Sequence, residues 1–560
     1  MKSRNRLFAI GFGSAVFAFT AGCTDQTTLS ESARAPEPAR ETEAVGLAVP
    51  DVPPNVEPLG PTAIAPWQGG QSLVLDPPAA AIQVLGPDGM PRQPIKLTGV
   101  AQPTDMVVEA GFIYVLDAAL RRVVKLDGSG RRVDVLAVPA TIDLKQAKLS
   151  VPAADDVRLE LADGTEAPLT VQRGPDGDLP GGAKLATPHG PVAWRFARVN
   201  ERTGRLSLSN LPVAPKQRDM TVEGDDILSA AELVHVDSSQ RLYILIEELL
   251  KDRPVYEIRM TVLRYAPDGS YLDAAPLPLA NASRLPNRFL AFAADGTTSF
   301  IKIVNKKAVT VRLTYTVSRG VGETAGSAVP EPMLDDRETP FEAYVRSLAP
   351  VERGAAGPVS RNEMEQIARS LLDERFVLSR ANYGRDDTSV CAPAQNRMWL
   401  RPARLNGQIG ATVQSIPYKW GGHSDLFKIR EDLRNGKLAG DICTCRAQIH
   451  NYCITPQSTG LDCSGFVAQV WRSPYHETSS LHKISNLVPR WEDLRKGDIL
   501  NLAGSHVRVF LSLRTDGFYR VKTMESAVSC GGVCESSYRL GALIGYRPLR
   551  YRDVTEVAAQ

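Results

Sequence analysis

Gly460-Leu461-Asp462-Cys463-Ser464-Gly465-Phe466-Val467 puts a cysteine directly before an apolar pattern, with Phe466, Val467, Val470 and Trp471 recurring at helical spacing. The spacing predicts that Cys463 sits in the first turn of a buried helix. There the unpaired N–H groups and the positive end of the helix dipole stabilise a thiolate, so a reactive nucleophile is expected. Taken alone, a cysteine in such a place reads equally well as a buried or disulfide-bonded residue. The flanking segments decide between these.

Downstream, Lys496-Gly497-Asp498-Ile499-Leu500 precedes Gly504-Ser505-His506-Val507-Arg508-Val509-Phe510-Leu511, where apolar alternation predicts a strand that begins at His506. A histidine on the first position of a strand can face a helix N-terminus, the geometry in which a cysteine and a histidine share a proton. The next strand, Tyr519 to Glu525, ends in an acid able to hold the second imidazole nitrogen. Glu525 reads otherwise as a solvated strand-end acid, and Ser526 stands beside it. Upstream lies Ile416-Pro417-Tyr418-Lys419-Trp420-Gly421-Gly422.

In this order, "PYKWGG", "GLDCSGFV", "KGDIL" and "GSHVRVFL" resemble the NlpC-type cell-wall peptidases, a papain-like family, over about residues 405 to 548. The resemblance implies an α+β fold around an antiparallel sheet, with Cys463 as nucleophile, His506 as base and Tyr418 as a hydroxyl near the oxyanion. Two features depart from the family pattern. Its third polar residue is commonly His, Asn or Gln, whereas the strand count here gives Glu525. The stretch from Gly422 to Gly460 is also much longer than usual, and it carries Cys443, Cys445 and Cys453.

Eight cysteines, less Cys463 for catalysis and Cys23 for the role given below, leave Cys391, Cys443, Cys445, Cys453, Cys530 and Cys534. In an exported protein these predict three disulfides of open pairing, with Cys530-Gly531-Gly532-Val533-Cys534 able to close a small loop. The alternative is a zinc site from Cys443, Cys445, His450 and Cys453.

Lys2, Arg4 and Arg6 precede an apolar run from Leu7 to Phe19, long enough for an export signal and too short to span a bilayer. The run ends in Thr20-Ala21-Gly22-Cys23, which resembles the lipobox of bacterial lipoproteins, although Thr20 departs from the usual Leu, Val or Ile. The resemblance implies lipidation of Cys23, and Thr24 after it suggests sorting to the periplasmic face of the outer membrane. The alternative is an ordinary signal peptide with an incidental cysteine. Residues 1–22 are thus expected to be a lipoprotein signal peptide. Residues 23–55, rich in Pro, Ala, Glu, Ser and Thr, are expected to be a disordered tether.

From 56 to 320, short alternating runs are separated by Pro87-Asp88-Gly89, Asp127-Gly128, Asp163-Gly164, Pro175-Asp176-Gly177, Pro267-Asp268-Gly269 and Asp295-Gly296. Asp-Gly supplies the positive-φ positions of tight hairpins. Met106–Val108, Phe112–Val115 and Val123–Leu126 before Asp127-Gly128 match Leu233–Val236, Leu242–Leu245 and Val262–Tyr265 before Pro267-Asp268-Gly269. The pattern resembles the blades of NHL-type β-propellers, with room for about six blades. A β-sandwich pair or an irregular β-domain is the alternative. His189 and His235 stand isolated, no acid pair, metal-ligand spacing or phosphate loop is present, and binding or positioning is the expected role.

Residues 321–358, rich in Pro, Gly, Ala and acids, read as a linker. In the connector 359–400, Ser360 and Glu363 form a capping-box pattern ahead of Met364, Ile367, Ala368, Leu371 and Leu372, predicting a helix over 361–376. Residues 401–550 are expected to be the NlpC-type cysteine peptidase domain that the resemblance implies. Hydrophobic residues at 43% and charged residues at 23% exclude global disorder, and Lys+Arg 65 against Asp+Glu 63 speaks against a nucleic-acid binder.

The expected function is a peptidoglycan hydrolase that cleaves stem-peptide amide bonds without metal or organic cofactor. Its expected partners are peptidoglycan stem peptides, the membrane through a lipid anchor, and an envelope protein on the β region. The alternatives are a non-catalytic envelope-binding lipoprotein, or an amidase or acyltransferase acting on another substrate.

Overall fold

Aspartate-led turns organise the first half of the chain. In the computed structural model, the Asp88, Asp127, Asp268 and Asp295 carboxylates each accept the backbone N–H two residues on, at 2.8–3.0 Å. Gly89, Gly269 and Gly296 take positive φ beside them, which a residue with a Cβ adopts only under strain. Each turn joins neighbouring antiparallel strands, for example Arg122–Leu126 to Arg132–Ala137 and Glu257–Tyr265 to Tyr271–Pro276.

The structure describes residues 41–48 and 60–555, apart from 101, 119, 140–141, 143, 145–146, 154–155, 162–165, 170–182, 186–191, 212–215, 251–256, 305–306, 318–324, 327–338, 349–357, 386–398, 445–450 and 516. The expected signal peptide, Cys23, most of the expected tether, His189, Asp163-Gly164 and Pro175-Asp176-Gly177 lie outside the described residues.

Among the described residues, six antiparallel sheets follow one another along the chain up to Arg312. Five have four principal strands, one of them with a short added strand, and the sheet of Lys148–Ala153, Asp156–Glu160 and Glu166–Pro168 shows three strands. Arg288 ties first strands together. It salt-bridges Asp105 at 2.8 Å, donates to the Leu149 carbonyl, and exchanges backbone hydrogen bonds with the Thr62–Ile64 segment. The arrangement is an all-β, propeller-like region. The tether expectation needs correction at Glu41–Ala48, which is a strand and pairs antiparallel with Lys307–Arg312. The last sheet is therefore completed by the earliest described segment of the chain.

The second half is built on a six-stranded antiparallel sheet in the order Ser485–Leu487, Arg547–Tyr551, Ile499–Leu502, His506–Arg514, Arg520–Ala527, Gly532–Arg539. The helix Cys463–Val470 packs on one face of it. The helix Arg361–Asp373, closed by the Ser360–Glu363 capping box, packs on the Cys463 helix through Met364, Ala368 and Leu371. The stretch read as a linker also contains a helix, Pro340–Leu348, whose Phe341 and Val345 are buried against Trp420, Tyr452 and Tyr475.

The two halves share a core. Leu500, Phe510, Val521 and Tyr538 on the far face of the sheet pack with Tyr243, Leu245, Met260 and Phe300 of the β region. Phe518, at the hairpin tip, stacks on Phe196 with centroids 5.3 Å apart. Tyr519 N–H donates to Ser229 O, Gly541 N–H donates to Glu247 Oε2 at 2.9 Å, and Arg539 pairs with Glu232. Apolar alternation in strands does not by itself reveal that both faces of a sheet are covered. No helix among the described residues is long and apolar enough to cross a membrane.

Candidate functional site

Asp462 caps the helix that begins at Cys463, its Oδ1 accepting the Gly465 N–H at 2.6 Å and its Oδ2 the Tyr475 hydroxyl at 3.0 Å. The helix start is pressed against the Gly421-Gly422 turn. Asp462 N–H donates to Gly422 O, and a Cβ on Gly465 would lie 1.9 Å from that same oxygen. Tyr418 pairs in parallel with Leu461, which brings the tyrosine beside the Cys463 segment. The glycines of the two motifs thus serve a single close approach.

Cys463 is fully buried and is not disulfide-bonded. Its sulfur accepts the backbone N–H of Val507, the residue after His506. Burial, reinforced by the neighbouring Asp462 carboxyl, pushes the thiol well above its ordinary pKa. The expectation of a lowered pKa is therefore corrected. The helix start does supply N–H groups, but complete removal from water disfavours the charged form more strongly than they favour it. The shift favours the neutral thiol over the thiolate.

His506 Nε2 lies 2.7 Å from Glu525 Oε2, both groups buried. Arg508 Nε donates to the same oxygen at 2.9 Å, and the Ser536 and Tyr538 hydroxyls each donate to Oε1 at 2.6 Å. Four donors fill the carboxylate, so Nε2 bears a proton towards Glu525, and Nδ1 is the ring nitrogen that this carboxylate does not engage. The chain places Glu525 inside the sheet and not at a solvated strand end. Arg508, Ser536 and Tyr538 escaped the sequence reading. The alternation from His506 puts Arg508 on the same strand face, and that signal was available.

The Tyr418 hydroxyl is buried without a hydrogen-bond partner, and burial together with the nearby Cys463 pushes its pKa up. A buried donor left open next to a nucleophile is suited to an oxyanion that exists only during reaction. Burial also raises Asp462 and Asp441 to about 7, the latter despite hydrogen bonds from the Cys443 and Leu400 N–H groups.

Cys530 and Cys534 form a disulfide, and Cys443 and Cys453 are each disulfide-bonded. Cys391, Cys445 and His450 lie outside the described residues. Sulfurs held in disulfides do not ligate zinc as thiolates, which removes Cys443 and Cys453 from the alternative metal site. In the β region, His235 stacks on Phe292 with centroids 4.7 Å apart, and burial lowers its pKa to about 4. It is a neutral packing residue.

No protein-family model matches the chain, and no curated protein matches it. Among solved structures it is similar to a streptogramin B lyase, 14% identical at a TM-score of 0.28, over 49% of this chain and 97% of the other. A DUF4221 family member from Bacteroides vulgatus is 8% identical at a TM-score of 0.30, over 50% and 99%. The WD40 repeats of RRP9 are 7% identical at 0.28, over 49% and 100%. At such scores, the description of the β region rests on its own strand order.

Proposed function

We propose that the chain is a peptidoglycan hydrolase, a cysteine endopeptidase that cuts stem-peptide amide bonds of the γ-D-glutamyl–diamino acid type. The observation that carries the reading is the His506–Glu525 pair, buried and filled by four donors, on the strand whose Val507 N–H meets the Cys463 thiol. The resemblance of the four ordered motifs to NlpC-type peptidases supplies the substrate class. Cys23 is read as the lipid anchor, which would hold the enzyme at the periplasmic face of the outer membrane. The β region is read as a platform for an envelope partner.

In this mechanism His506 Nδ1 takes the thiol proton as the sulfur bonds to the carbonyl carbon. The oxyanion is met by the Tyr418 hydroxyl and the Cys463 backbone N–H. Glu525 keeps the imidazolium oriented while the tetrahedral centre collapses, and His506 gives its proton to the leaving amine. A water, deprotonated by His506, then attacks the thioester and restores the thiol. A neutral resting thiol suits this sequence, since proton removal is coupled to bond formation.

Mass spectrometry of muropeptides incubated with the full-length protein and with Cys463→Ala tests the reading. A cut that depends on Cys463 is expected. No cut, with a Cys463 that also resists iodoacetamide, favours a non-catalytic binding protein. No cut with a rapidly labelled thiol points to an amidase or acyltransferase on another substrate.

A further inference from the structure

The segment that carries Tyr418 is held from outside the catalytic motifs. Arg404, in the turn Ala403–Leu405, donates from all three guanidinium nitrogens to backbone carbonyls: Nη1 to Gln414 O at 2.7 Å, Nη2 to Ser415 O at 2.9 Å and Nε to Gly531 O at 2.9 Å. Gln414 and Ser415 lead directly into Ile416-Pro417-Tyr418. Gly531 belongs to the hairpin turn that the Cys530–Cys534 disulfide closes.

The same turn holds the tyrosine segment directly. Tyr418 N–H donates to Gly531 O at 3.0 Å, and Val533 N–H donates to Ile416 O at 2.9 Å. A Cβ on Gly532 would lie 2.4 Å from Ile416 O, so the two backbones are in contact. Cys534 stands directly opposite Glu525 in the strand pair, and the adjacent Ser526 hydroxyl donates to Leu461 O at 2.8 Å, two residues before Cys463. One knot, closed by a covalent bond and a guanidinium, joins the segments of Tyr418, Glu525 and Cys463. Burial lowers Arg404 only to about 10, so it stays charged at neutral pH.

We propose that Arg404 and the disulfide-closed turn 530–534 are positioning elements that hold the Tyr418 hydroxyl at the Cys463 thiol. The proposal rests on the hydrolase reading for its purpose, and its geometry is testable without substrate. The full-length protein, Arg404→Ala, Arg404→Lys and the double variant Cys530→Ser/Cys534→Ser are treated with tetranitromethane, and nitrated tyrosines are mapped by mass spectrometry. Tyr418 is expected to resist in the parent and to react severalfold faster in Arg404→Ala and the double variant. Tyr114 and Tyr243, buried in the β region, serve as internal controls and stay protected.

In parallel, kcat on muropeptides is expected to fall by about 10²-fold with KM little changed, as for a misplaced oxyanion donor. Arg404→Lys, or added guanidinium with Arg404→Ala, restores part of it. Equal protection of Tyr418 in all four proteins overturns the proposal. So does nitration of Tyr114 and Tyr243 in step with Tyr418, since the knot would then serve only to keep the chain folded. Selective release of Tyr418 in the variants, beside a parent that hydrolyses nothing, keeps the clamp and removes the peptidase.

Discussion

The β region and the C-terminal sheet both bury ion pairs, but with different surroundings. Asp105 and Arg288 pair at 2.8 Å, and each also hydrogen-bonds a backbone group of Leu149 on a neighbouring strand. Glu525 gathers His506, Arg508, Ser536 and Tyr538, all side chains, beside a thiol and an unpartnered tyrosine hydroxyl. The first arrangement joins strands. The second fixes the orientation of a group that can exchange a proton. The difference teaches that burial and charge pairing do not identify a reactive site by themselves; a titratable partner and an open donor must accompany them.

Substitutions at the two acids should separate these roles most sharply. Glu525→Gln is expected to cut hydrolysis by about 10²–10⁴-fold, because the amide can no longer stabilise the imidazolium. Glu525→Ala should also destabilise the fold by about 3–5 kcal/mol, since Arg508 is left charged in the interior. Asp105→Ala, which strands Arg288, should cost stability while leaving hydrolysis per folded molecule at the parent value. Denaturant titration with single-turnover assays checks all three, and equal activity losses at both sites would erase the contrast. Next in size, Gly465→Ala should cost about 1–3 kcal/mol by overpacking against Gly422. An unchanged denaturation midpoint would show that the two motifs are not in forced contact.

The pH response gives a finer comparison. Asp441 and Asp462 rise from 3.8 to about 7 on folding, so the folded chain keeps protons that the unfolded chain releases. Their contribution to stability is complete below about pH 4 and is lost as pH rises to about 7. Asp237 in the β region is shifted down, where hydrogen bonds and the Arg241 charge together outweigh the opposing effect of burial; its contribution is present above pH 4 and lost in acid. Thermal melts between pH 5 and 8 should therefore decline less steeply for Asp441→Asn than for the parent, and equal slopes would contradict the assignment. The smallest effect is expected at an exposed turn: Asp127→Asn keeps the oxygen that caps Ser129 and should leave both stability and hydrolysis unchanged.

Much of this was legible in the residues. The spacing around Cys463 gave its helix, the alternation after His506 its strand, and Ser360 with Glu363 the cap of the connecting helix, because each signal is local. The position of Glu525 followed from counting along one strand. Its four donors did not, since Ser536 and Tyr538 reach it from the next strand and only register brings them together. The thiol's raised pKa also escaped, because a motif reports the helix terminus and not the water excluded around it. The strand at Glu41–Ala48 lay within Pro- and Ala-rich surroundings, and its partner is more than 250 residues away.

The shared core has a consequence for how the molecule comes into being. Among the described residues, every strand of the β region except the two-residue Ala325–Gly326, and including the early strand that completes its last sheet, has been synthesised by Arg312. Domains form in order during synthesis, so that region can stand ready as a floor before the C-terminal sheet exists. Phe510, Val521 and Tyr538 then have a surface to settle on. The hairpin carrying Glu525 is among the last segments made, so the proposed site is complete only when the final strands dock on what was built first.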